Sequence, residues 1–534
     1  MKRFSLVLVK PSRYDDNGYI LQWFMSSMPS NSLACIHGLA TECAKEQVLG
    51  GDVQLDIHVF DEVNTHISTE KIASLIESAD DGMLMLVGVQ TNQFPRALDI
   101  AKPLRSKGIK VVIGGFHVSG MISKGIEYDS YMRTAADTGI SFFAGEAEGR
   151  FDQVIIDASN NQIKPVYNFL DNLPDIGNTA MPFLPIENVF KTSGFMTSFD
   201  TGRGCPFTCS FCTITTVQGQ TSRYRSVSSI ESIIRLNVKK GLSLFLISDD
   251  NFARNKNWEA ILDKFIELRE VDNLKINFRM QVDALCHNLP GFIEKAGRAG
   301  VTMVFVGLEN INSDNLTSVN KVQNKFSSYR KMLLAWKNAG VITYCGYILG
   351  FPTDTQESIL RDIEIIKKEL PLDLLEFTYL APLPGAENYK QFCTDKSIIN
   401  KDLNAYDLTH LVISHPNISN ETAEKTFYMA WAAYFSYSHI KTIIKRSIGT
   451  SINSTKLMYQ LAWDKGCTSI EKVHPAEGGF LRYKIRKNRR SNLPVESPFI
   501  FYPRYFLETI YKQCRWALLV LKIRLIGIKA LNDY

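Results

Sequence analysis

Two stretches of the chain alternate short runs of Val, Ile and Leu with amphipathic segments, and this alternation limits the possible folds more than any other feature. Strands that are continuously apolar and separated by helices form a parallel sheet covered on both faces. Residues 1–160 are therefore predicted to be a five-stranded, doubly wound α/β domain with its ligand at the carboxyl ends of the strands. The predicted strands are Phe4–Val9, Val53–Val59, Met83–Val89, Lys110–Ile113 and Ile140–Phe143.

The second alternating block covers residues 195–420. Its apolar runs, separated by helical segments, predict a partial, TIM-like (β/α)6 barrel with its chemistry at the carboxyl ends of the strands. Residues 161–194 contain four prolines and no periodicity and are predicted to be a linker. Residues 421–534 are predicted to be mostly helical. The six barrel strands are expected at Phe195–Phe199, Leu244–Ile247, Lys275–Arg279, Thr302–Val306, Ile342–Ile348 and Leu374–Thr378.

Charge is distributed unevenly along the chain. Residues 481–534 hold 12 Lys and Arg against 3 Asp and Glu, so the remainder is slightly acidic and is not expected to bind nucleic acid. No apolar run approaches the about 18 residues of a membrane span. The N-terminal run Phe4–Val9 is too short for a signal peptide. Ten scattered cysteines without a signal predict a reducing, cytoplasmic compartment.

Three cysteines, Cys205, Cys209 and Cys212, directly follow the first predicted barrel strand. With three and then two residues between them, their thiolates can bind one face of an iron–sulfur cubane from a single loop. Most such clusters use four thiolates, so one iron would keep an open coordination site. The alternatives are a structural zinc ion and a fully ligated electron-transfer cluster. Zinc would need a fourth ligand, and no nearby His or Cys supplies one.

The Cys-x-x-x-Cys-x-x-Cys loop after a strand resembles that of radical S-adenosylmethionine (SAM) enzymes. The resemblance implies a [4Fe–4S] cluster on Cys205, Cys209 and Cys212, whose open iron chelates the amino and carboxylate groups of SAM. An electron from an external reductant then breaks a C–S bond and gives the 5′-deoxyadenosyl radical. Phe211 resembles the position that packs near the SAM adenine.

Polar residues follow the next barrel strands. Asp249 and Asp250 stand where the family supplies polar groups for the amino end of SAM, although its usual Gly-Gly-Glu is replaced here. Gln281 lies at the end of the third strand and Glu309 at the end of the fourth. Any one of these alone would more often be a capped strand end or a turn. Their shared placement at strand ends predicts that they bind the cofactor.

The first domain resembles the cobalamin-binding domain that precedes many radical SAM enzymes. The residues that carry the resemblance are Gly114-Gly115, followed by Phe-His117, and the later Gly145–Gly149 segment. Glycines at strand ends admit a flat macrocycle or its nucleotide tail close to the backbone. The resemblance implies that Gly114, Gly115 and Glu146 contact cobalamin. A relic domain that no longer binds cobalamin is the alternative.

The histidine that commonly ligates cobalt in this family has no clear counterpart. The Asp-x-His-x-x-Gly motif is missing, and its nearest approach, Asp56-Ile-His58, lies within a predicted strand and has Asp61 where Gly belongs. His58 is therefore interpreted as structural, and His117 equally fits a loop histidine. Radical SAM members of the family often lack the lower histidine, so its absence leaves cobalamin binding as the favoured hypothesis.

The C-terminal tail combines a basic segment, residues 482–490, with an amphipathic helix. Glu508, Lys512, Arg515, Lys522 and Lys529 fall on one side of that helix, and the remainder is largely apolar. This pattern is typical of a membrane interface or a hydrophobic partner. The alternative is a helix packed on the barrel with its charges in solvent.

The resemblance implies a cobalamin-dependent radical SAM enzyme, in the first place a C-methyltransferase acting on an unactivated carbon. Cobalamin would supply the methyl group after the 5′-deoxyadenosyl radical abstracts a substrate hydrogen. One alternative is a radical SAM cyclisation, rearrangement or oxidation without methyl transfer. Another is a non-catalytic cobalamin or iron–sulfur sensor. The expected substrate is a small, natural-product-like molecule, and no motif identifies it.

Overall fold

Two six-stranded parallel sheets organise the protein, for which a computed structural model describes residues 1–123, 125 and 127–532. The strands are β1 (Lys2–Lys10), β2 (Gln22–Ser26), β3 (Val53–Asp61), β4 (Asp81–Leu86), β5 (Lys110–Gly114), β6 (Ser141–Ala144), β7 (Val166–Asn168), β8 (Thr197–Phe199), β9 (Gly202–Arg203), β10 (Arg223–Tyr224), β11 (Leu244–Ile247), β12 (Asn277–Val282), β13 (Val301–Glu309), β14 (Ile342–Leu349), β15 (Leu374–Tyr379) and β16 (Gly479–Tyr483).

The α-helices connect and cover these strands. They are α1 (Asn31–Lys45), α2 (Thr69–Glu77), α3 (Phe94–Ser106), α4 (Phe116–Ser123), α5 (Ser130–Asp137), α6 (Phe151–Ser159), α7 (Ile186–Val189), α8 (Ile214–Val217), α9 (Val227–Lys239), α10 (Trp258–Glu270), α11 (Phe292–Arg298), α12 (Ser313–Ser318), α13 (Phe326–Asn338), α14 (Gln356–Glu369), α15 (Tyr389–Thr394), α16 (Asn420–Tyr434), α17 (Tyr437–Ser447), α18 (Ser454–Gly466) and α19 (Pro498–Asn532).

The first sheet has the strand order β3-β1-β4-β5-β6-β7, and all of its pairs are parallel. Strand β1, which pairs with both β3 and β4, is buried on both faces, as a doubly wound sheet requires. Val7 and Val9 belong to one core with α2 and α3, whereas Leu6 and Leu8 belong to a second core with α1 and α6. The predicted doubly wound α/β domain is confirmed.

This sheet contains one strand more than the sequence predicts. The additional strand, β7, lies within residues 161–194, the predicted linker, and pairs with β6. Only Tyr167 of its three residues is buried, so there is no apolar run or alternation to detect. Hydrogen bonds to β6 form this strand despite its weak local pattern. The domain boundaries at residues 160, 194 and 420 stay predictions.

The second sheet runs β8-β11-β12-β13-β14-β15 in sequence order and is parallel throughout. This is the predicted open barrel of six βα units, and only the strand boundaries differ from the expected ones. Buried Met280 and Val282 point to the helical layer, while Arg279 and Gln281 of the same strand line the barrel interior. The alternation of β12 therefore brings polar groups into the barrel.

The C-terminal region is mostly helical, as predicted, and it also contacts the first domain. Strand β16 pairs antiparallel with β2, which belongs to the N-terminal part of the chain. The 35-residue helix α19 packs on α17 and α18. Within the described residues, no helix combines the length and the apolar character that crossing a membrane requires.

The orientation of α19 differs from the expectation of charges in solvent. Lys512 Nζ lies 3.0 Å from Glu471 Oε2 of the protein body, and Lys522 Nζ lies 3.7 Å from the centre of the Tyr437 ring. Trp516 Nε1 also donates to Glu471. Lys512 and Lys522 of the predicted polar stripe therefore face the protein, and apolar side chains lie on the outside.

Candidate active site

The three cysteines lie in the loop that leaves the first barrel strand. Cys205 N donates to Gly219 O over 3.2 Å, and Cys212 N donates to Cys209 O over 3.0 Å. Gly204 has a φ of +93°, and a Cβ atom there would lie 2.5 Å from Thr221 O. Glycine is therefore required for the tight approach of backbone segments that brings the loop to this shape.

Side-chain amides from two other loops point at the cysteine sulfurs. Asn251 Nδ2 lies 3.9 Å from Cys205 Sγ, and Gln323 Nε2 lies 3.9 Å from Cys209 Sγ. Asn251 is oriented by Asp283, whose backbone N donates to Asn251 Oδ1 over 3.2 Å. Hydrogen bonds to the sulfurs are one of the means by which a protein stabilises and tunes an iron–sulfur cluster.

The environment of the thiols favours metal binding over free thiolates. Burial raises the pKa of Cys205 and Cys209 and raises that of Cys212 to about 12. Negative charge on neighbouring thiolates adds to the effect for Cys205 and Cys212. A bound cationic cluster removes this penalty, because metal binding displaces the thiol protons.

The donor set suits a cluster better than a single ion. Across the described part of the chain, no three His, Cys, Asp or Glu side chains are placed to share one metal ion. A cubane does not need such proximity, because each thiolate binds a different iron. Cys205, Cys209 and Cys212 share one loop, and side-chain amides face two of their sulfurs, which fits a three-thiolate [4Fe–4S] cluster.

Asp249 and Asp250 have different surroundings although they are adjacent. The Asp249 carboxylate accepts hydrogen bonds of 2.6 Å from both Thr201 N and Thr201 Oγ1 and one of 3.2 Å from Asn255 Nδ2. It therefore fixes the start of the cysteine loop. Asp250 lines a cavity beside the loop, and burial, together with the charge of Asp249, raises its pKa to about 7.

Phe211 forms an apolar wall next to the cysteines. It packs against a buried cluster composed of Val319, Ile348, Phe351 and Leu380. Lys321 Nζ lies 5.9 Å from the centre of its ring and 2.7 Å from Glu309 Oε1. Burial disfavours the charged form of this lysine, but the Glu309 carboxylate outweighs that effect and raises the pKa of Lys321. Glu309 is thus paired with a cation, while Gln281 faces the barrel interior.

A mainly apolar cavity of about 170 Å³ lies at the carboxyl ends of the first sheet's strands. Gly114, Gly115 and Glu146 all line it, so the structure brings these three predicted residues together. Gly115 has a φ of +143°, and a Cβ atom there would lie 2.2 Å from Val89 N. Glycine at 115 therefore permits the close approach of two strand-end loops that border the cavity, whose mainly apolar lining suits the nucleotide tail of cobalamin.

Glu146 also joins the two domains. Arg203, two residues before Cys205, donates to Glu146 Oε2 over 2.9 Å and to Glu148 Oε1 over 2.6 Å. Arg223 donates to both carboxylate oxygens of Glu146. Burial alone would raise the pKa of Glu148, but Arg203 outweighs it and the pKa is lowered. The Glu148 carboxylate is therefore held ionised at the domain interface.

Neither His58 nor His117 lines this cavity. His117 is buried, with Nε2 3.1 Å from Asp129 Oδ2 and Nδ1 3.3 Å from Thr91 Oγ1. His58 is in β3, the edge strand, opposite Val7. His117 thus lies in α4 and not in a loop, which corrects the sequence interpretation, and the structural role of His58 stays a prediction.

Two larger cavities meet inside and above the barrel. One, of about 440 Å³, separates the strand-end loops of the first domain from the barrel mouth. The other, of about 360 Å³, lies within the barrel. They share Glu376 and Ala476 as lining residues. The cavity of about 440 Å³ is lined by Gln90, Thr91, Asn92, Phe116, Thr213, Ile214, Asp250, Glu376, Thr378, Leu383, Pro384, Tyr406, Asp407, Leu408, His474, Ala476 and Glu477.

Several site residues were missed by the sequence reasoning. Arg203 forms an ion pair with the distant Glu146, Lys321 forms one with Glu309, and Glu376 faces both cavities from the last barrel strand. Arg203 lies inside the Gly-Arg-Gly-Cys segment, so its proximity to Cys205 was a usable signal. No local pattern distinguishes Lys321 or Glu376.

Comparison with known proteins decides the type of barrel. The model of the radical SAM superfamily matches residues 200–366, which include all three cysteines of the loop. The chain contains a radical SAM domain. This radical SAM domain takes a [4Fe–4S] cluster and SAM, and the resemblance in the cysteine loop is confirmed.

Relatives of this radical SAM protein include methyltransferases. The bacteriochlorophyllide d C-8(2)-methyltransferase of Chlorobaculum tepidum is 27% identical over 354 residues, which cover 62% of this chain and 74% of that protein. The hopanoid C-2 methylase of Rhodopseudomonas palustris is 22% identical over 265 residues, covering 48% and 49% of the two chains.

Solved structures share the whole architecture of this radical SAM protein. The radical SAM methyltransferase TsrM from Kitasatospora setae, with cobalamin and a [4Fe–4S] cluster bound, superposes with a TM-score of 0.57 at 11% identity, covering 100% of both chains. The cobalamin-dependent radical SAM enzyme OxsB, with aqua-cobalamin and SAM bound, gives a TM-score of 0.54 at 13% identity, covering 100% of this chain and 80% of OxsB. These similarities concern the fold.

Proposed function

We propose that this protein is a cobalamin-dependent radical SAM methyltransferase that acts on a carbon of a small molecule. The observation that carries the proposal is the cavity of about 440 Å³ between the two domains. Phe116 and Gln90 of the first domain line one side, and Thr213 and Asp250 of the barrel line the other. A substrate in this space would lie between the cobalamin domain and the cluster loop.

The residues of the chain have separate tasks in this function. Cys205, Cys209 and Cys212 would hold the cluster, and the amides of Asn251 and Gln323 support it. Asp250 is placed to receive the ammonium group of SAM, and the wall around Phe211 suits the adenine. The Fe–S cluster and SAM supply radical chemistry, and cobalamin supplies the methyl group.

Cobalamin would be held mainly by shape. Gly114 and Gly115 line the first domain's cavity, and the Glu146–Arg203 ion pair closes its side toward the barrel. The surroundings of His58 and His117 support binding without a histidine on cobalt. The bacteriochlorophyllide and hopanoid relatives and the fold shared with TsrM and OxsB support methyl transfer to a small molecule.

The function is tested with SAM that carries a deuterated methyl group. Anaerobically purified protein with reductant and cobalamin should yield 5′-deoxyadenosine and a labelled methyl group recovered with the protein-bound corrinoid. Production of 5′-deoxyadenosine without label on the corrinoid would favour cyclisation, rearrangement or oxidation instead. If neither product forms, the sensor hypothesis replaces the enzyme.

We also propose that the outer face of α19 contacts an anionic membrane surface. This face exposes large apolar side chains, for example Phe506, Leu507 and Leu518 at 64–65%. The only acidic residue of the described helix, Glu508, is paired with Lys484 and Lys512. An apolar face without carboxylates suits insertion among anionic lipid headgroups.

The positive residues beside this apolar face favour lipid over a second copy of the chain. Arg515, Arg524 and Lys529 form no ion pair with a carboxylate in the described structure. Two such faces packed together would bring cations against cations, which is unfavourable. Peripheral contact of a cytoplasmic enzyme with the membrane would also give access to hydrophobic substrates.

A further inference from the structure

The cavity inside the barrel has an apolar wall and few charged groups. Met303, Phe305 and Trp463 provide much of the wall, and Pro475 and Ala476 of the C-terminal region line it as well. Among the described residues that line this cavity, only Arg279 and Glu376 are charged. Its volume of about 360 Å³ falls within the usual range of small-molecule sites.

Arg279 is an unpaired cation in this cavity. It makes no hydrogen bond and no ion pair with any residue in the described structure. Burial lowers its pKa, although a guanidinium remains charged in proteins. A buried charge without a partner is costly, so such groups normally have a counter-ion.

Among the described residues, no carboxylate lies within ion-pair distance of Arg279, and Asp464 attracts it only from further away. Asp464 accepts a hydrogen bond of 3.0 Å from Gln460, and burial raises its pKa well above the ordinary value. Burial likewise raises the pKa of Glu376, whose Oε2 lies 3.5 Å from His474 Nε2. Neither carboxyl group forms an ion pair with Arg279, and burial shifts both toward their neutral forms.

We infer that the substrate carries a carboxylate group that binds the Arg279 guanidinium, with an apolar portion against Met303, Phe305 and Trp463. This inference rests on the proposed function and names the chemical class of its substrate. Guanidinium binds carboxylate through two parallel hydrogen bonds, which would compensate the buried charge. One arginine beside Glu376 suits a monoanion better than a phosphate dianion. Because the two cavities share Glu376, the substrate can extend from Arg279 toward Asp250.

Binding of two matched probes tests the inference. The probes are 3-phenylpropionate and the neutral 3-phenylpropanamide, titrated by calorimetry into cluster-loaded protein with cobalamin. We expect the carboxylate to bind at least about tenfold more tightly than the amide, as a hydrogen bond to a charged group predicts. In Arg279→Gln this preference should fall below about threefold.

Two further variants make the result decisive. Arg279→Lys keeps the charge but loses the planar fork, so an intermediate preference is expected. Arg298→Gln removes an exposed arginine that pairs with Glu270 and should keep the full preference. Thermal unfolding checks that each variant is folded, and if Arg279→Gln is not, the wild-type and Arg279→Lys comparisons decide.

The inference is overturned if the wild-type protein binds both probes equally or binds neither. It is also overturned if folded Arg279→Gln keeps the preference for the carboxylate probe. If Arg279→Gln does not fold, an undiminished preference in Arg279→Lys overturns it. SAM cleavage is measured on the same samples, so that failure of the Arg279 carboxylate site can be distinguished from failure of the proposed methyltransferase function. Protein that prefers the carboxylate but neither cleaves nor demethylates SAM would contradict the proposed function and leave the Arg279 site supported.

Discussion

The Arg203 guanidinium donates a hydrogen bond of 2.9 Å to the Glu146 carboxylate of the first domain. Arg203 is two residues from the first cysteine of the cluster loop, and Glu146 lines the cavity of the first domain. One buried ion pair therefore connects the two proposed cofactor sites. Gly120 and Gly385 add a second close contact, since a Cβ atom on Gly385 would lie 2.9 Å from Gly120 Cα.

Arg203→Met should weaken both the fold and cobalamin binding. Removing one partner of a buried ion pair costs about 3–5 kcal/mol, and here Glu148 loses the guanidinium that lies 2.6 Å from its carboxylate. We expect a lower free energy of unfolding and less bound corrinoid after gel filtration. Arg298→Met removes an exposed ion pair and serves as the control. Unchanged stability and corrinoid content in Arg203→Met would contradict the connecting role.

Replacing the two adjacent aspartates should have different consequences. Asp249→Ala removes the acceptor for Thr201 N and Oγ1, so we expect the cysteine loop to lose order and the iron content to fall. Asp250→Asn should keep the cluster and weaken SAM binding by about tenfold, the loss expected for a hydrogen bond between charged groups. Iron analysis and SAM titration measure these effects, and equal iron loss in both variants would refute the assignment.

The pH dependence of SAM binding gives a further check on Asp250. Because its pKa is raised to about 7, the carboxyl is largely neutral at pH 6 and ionised at pH 8. SAM affinity should therefore rise over that interval in the wild type and stay flat in Asp250→Asn. The free energy of unfolding should change in the opposite direction. Because the pKa of Asp250 is raised in the folded state, this residue destabilises the fold as pH increases toward 7.

Gly114→Val should fill the cavity of the first domain. The new Cβ atom would contact Phe143 at 3.4 Å, an ordinary distance, so we expect the sheet to persist while the branched side chain occupies cavity space. Corrinoid binding should be lost and SAM cleavage retained. Gly51→Val, in the exposed loop before β3, is the matched control. Wild-type corrinoid content in Gly114→Val would argue against this cavity as the cobalamin site.

Charge on the outer face of α19 should prevent membrane contact. Leu521→Glu and Leu525→Glu place carboxylates on a surface where both leucines are at least half exposed, so folding should be unaffected. Co-sedimentation with anionic vesicles at low salt should fall at least about fivefold, and salt should weaken wild-type binding. Glu364→Gln changes one exposed charge elsewhere and is the control. Wild-type protein that stays in the supernatant would end the membrane hypothesis.

Most strands could be predicted because their residues are apolar in continuous runs. The six barrel strands and five strands of the first sheet have this signal, whereas β7 depends on hydrogen bonds to β6. The sequence also shows the amphipathic pattern of α19. It does not show which side of α19 faces the protein, because that side is decided by contacts with Glu471 and Tyr437 on other elements.

The functional site shows the same distinction between local sequence signals and contacts that form only on folding. The cysteine spacing is local, so the cluster could be predicted, and the paired glycines indicated the first domain's cavity. The division of roles between Asp249 and Asp250 depends on Thr201 and on the cavity lining, which are brought together by folding. Arg279 is conspicuous only because folding leaves it without a partner.

The most direct test of the account combines metal, sulfide and corrinoid analysis of protein purified anaerobically with cobalamin supplied. We predict about four iron, four sulfide and one corrinoid for each chain, together with reductive SAM cleavage. Cys205→Ala, Cys209→Ala and Cys212→Ala should each abolish cleavage, whereas Cys286→Ala, Cys345→Ala and Cys467→Ala should leave it largely intact. A triple variant of Cys205, Cys209 and Cys212 to Ala that still forms 5′-deoxyadenosine would contradict the central claim.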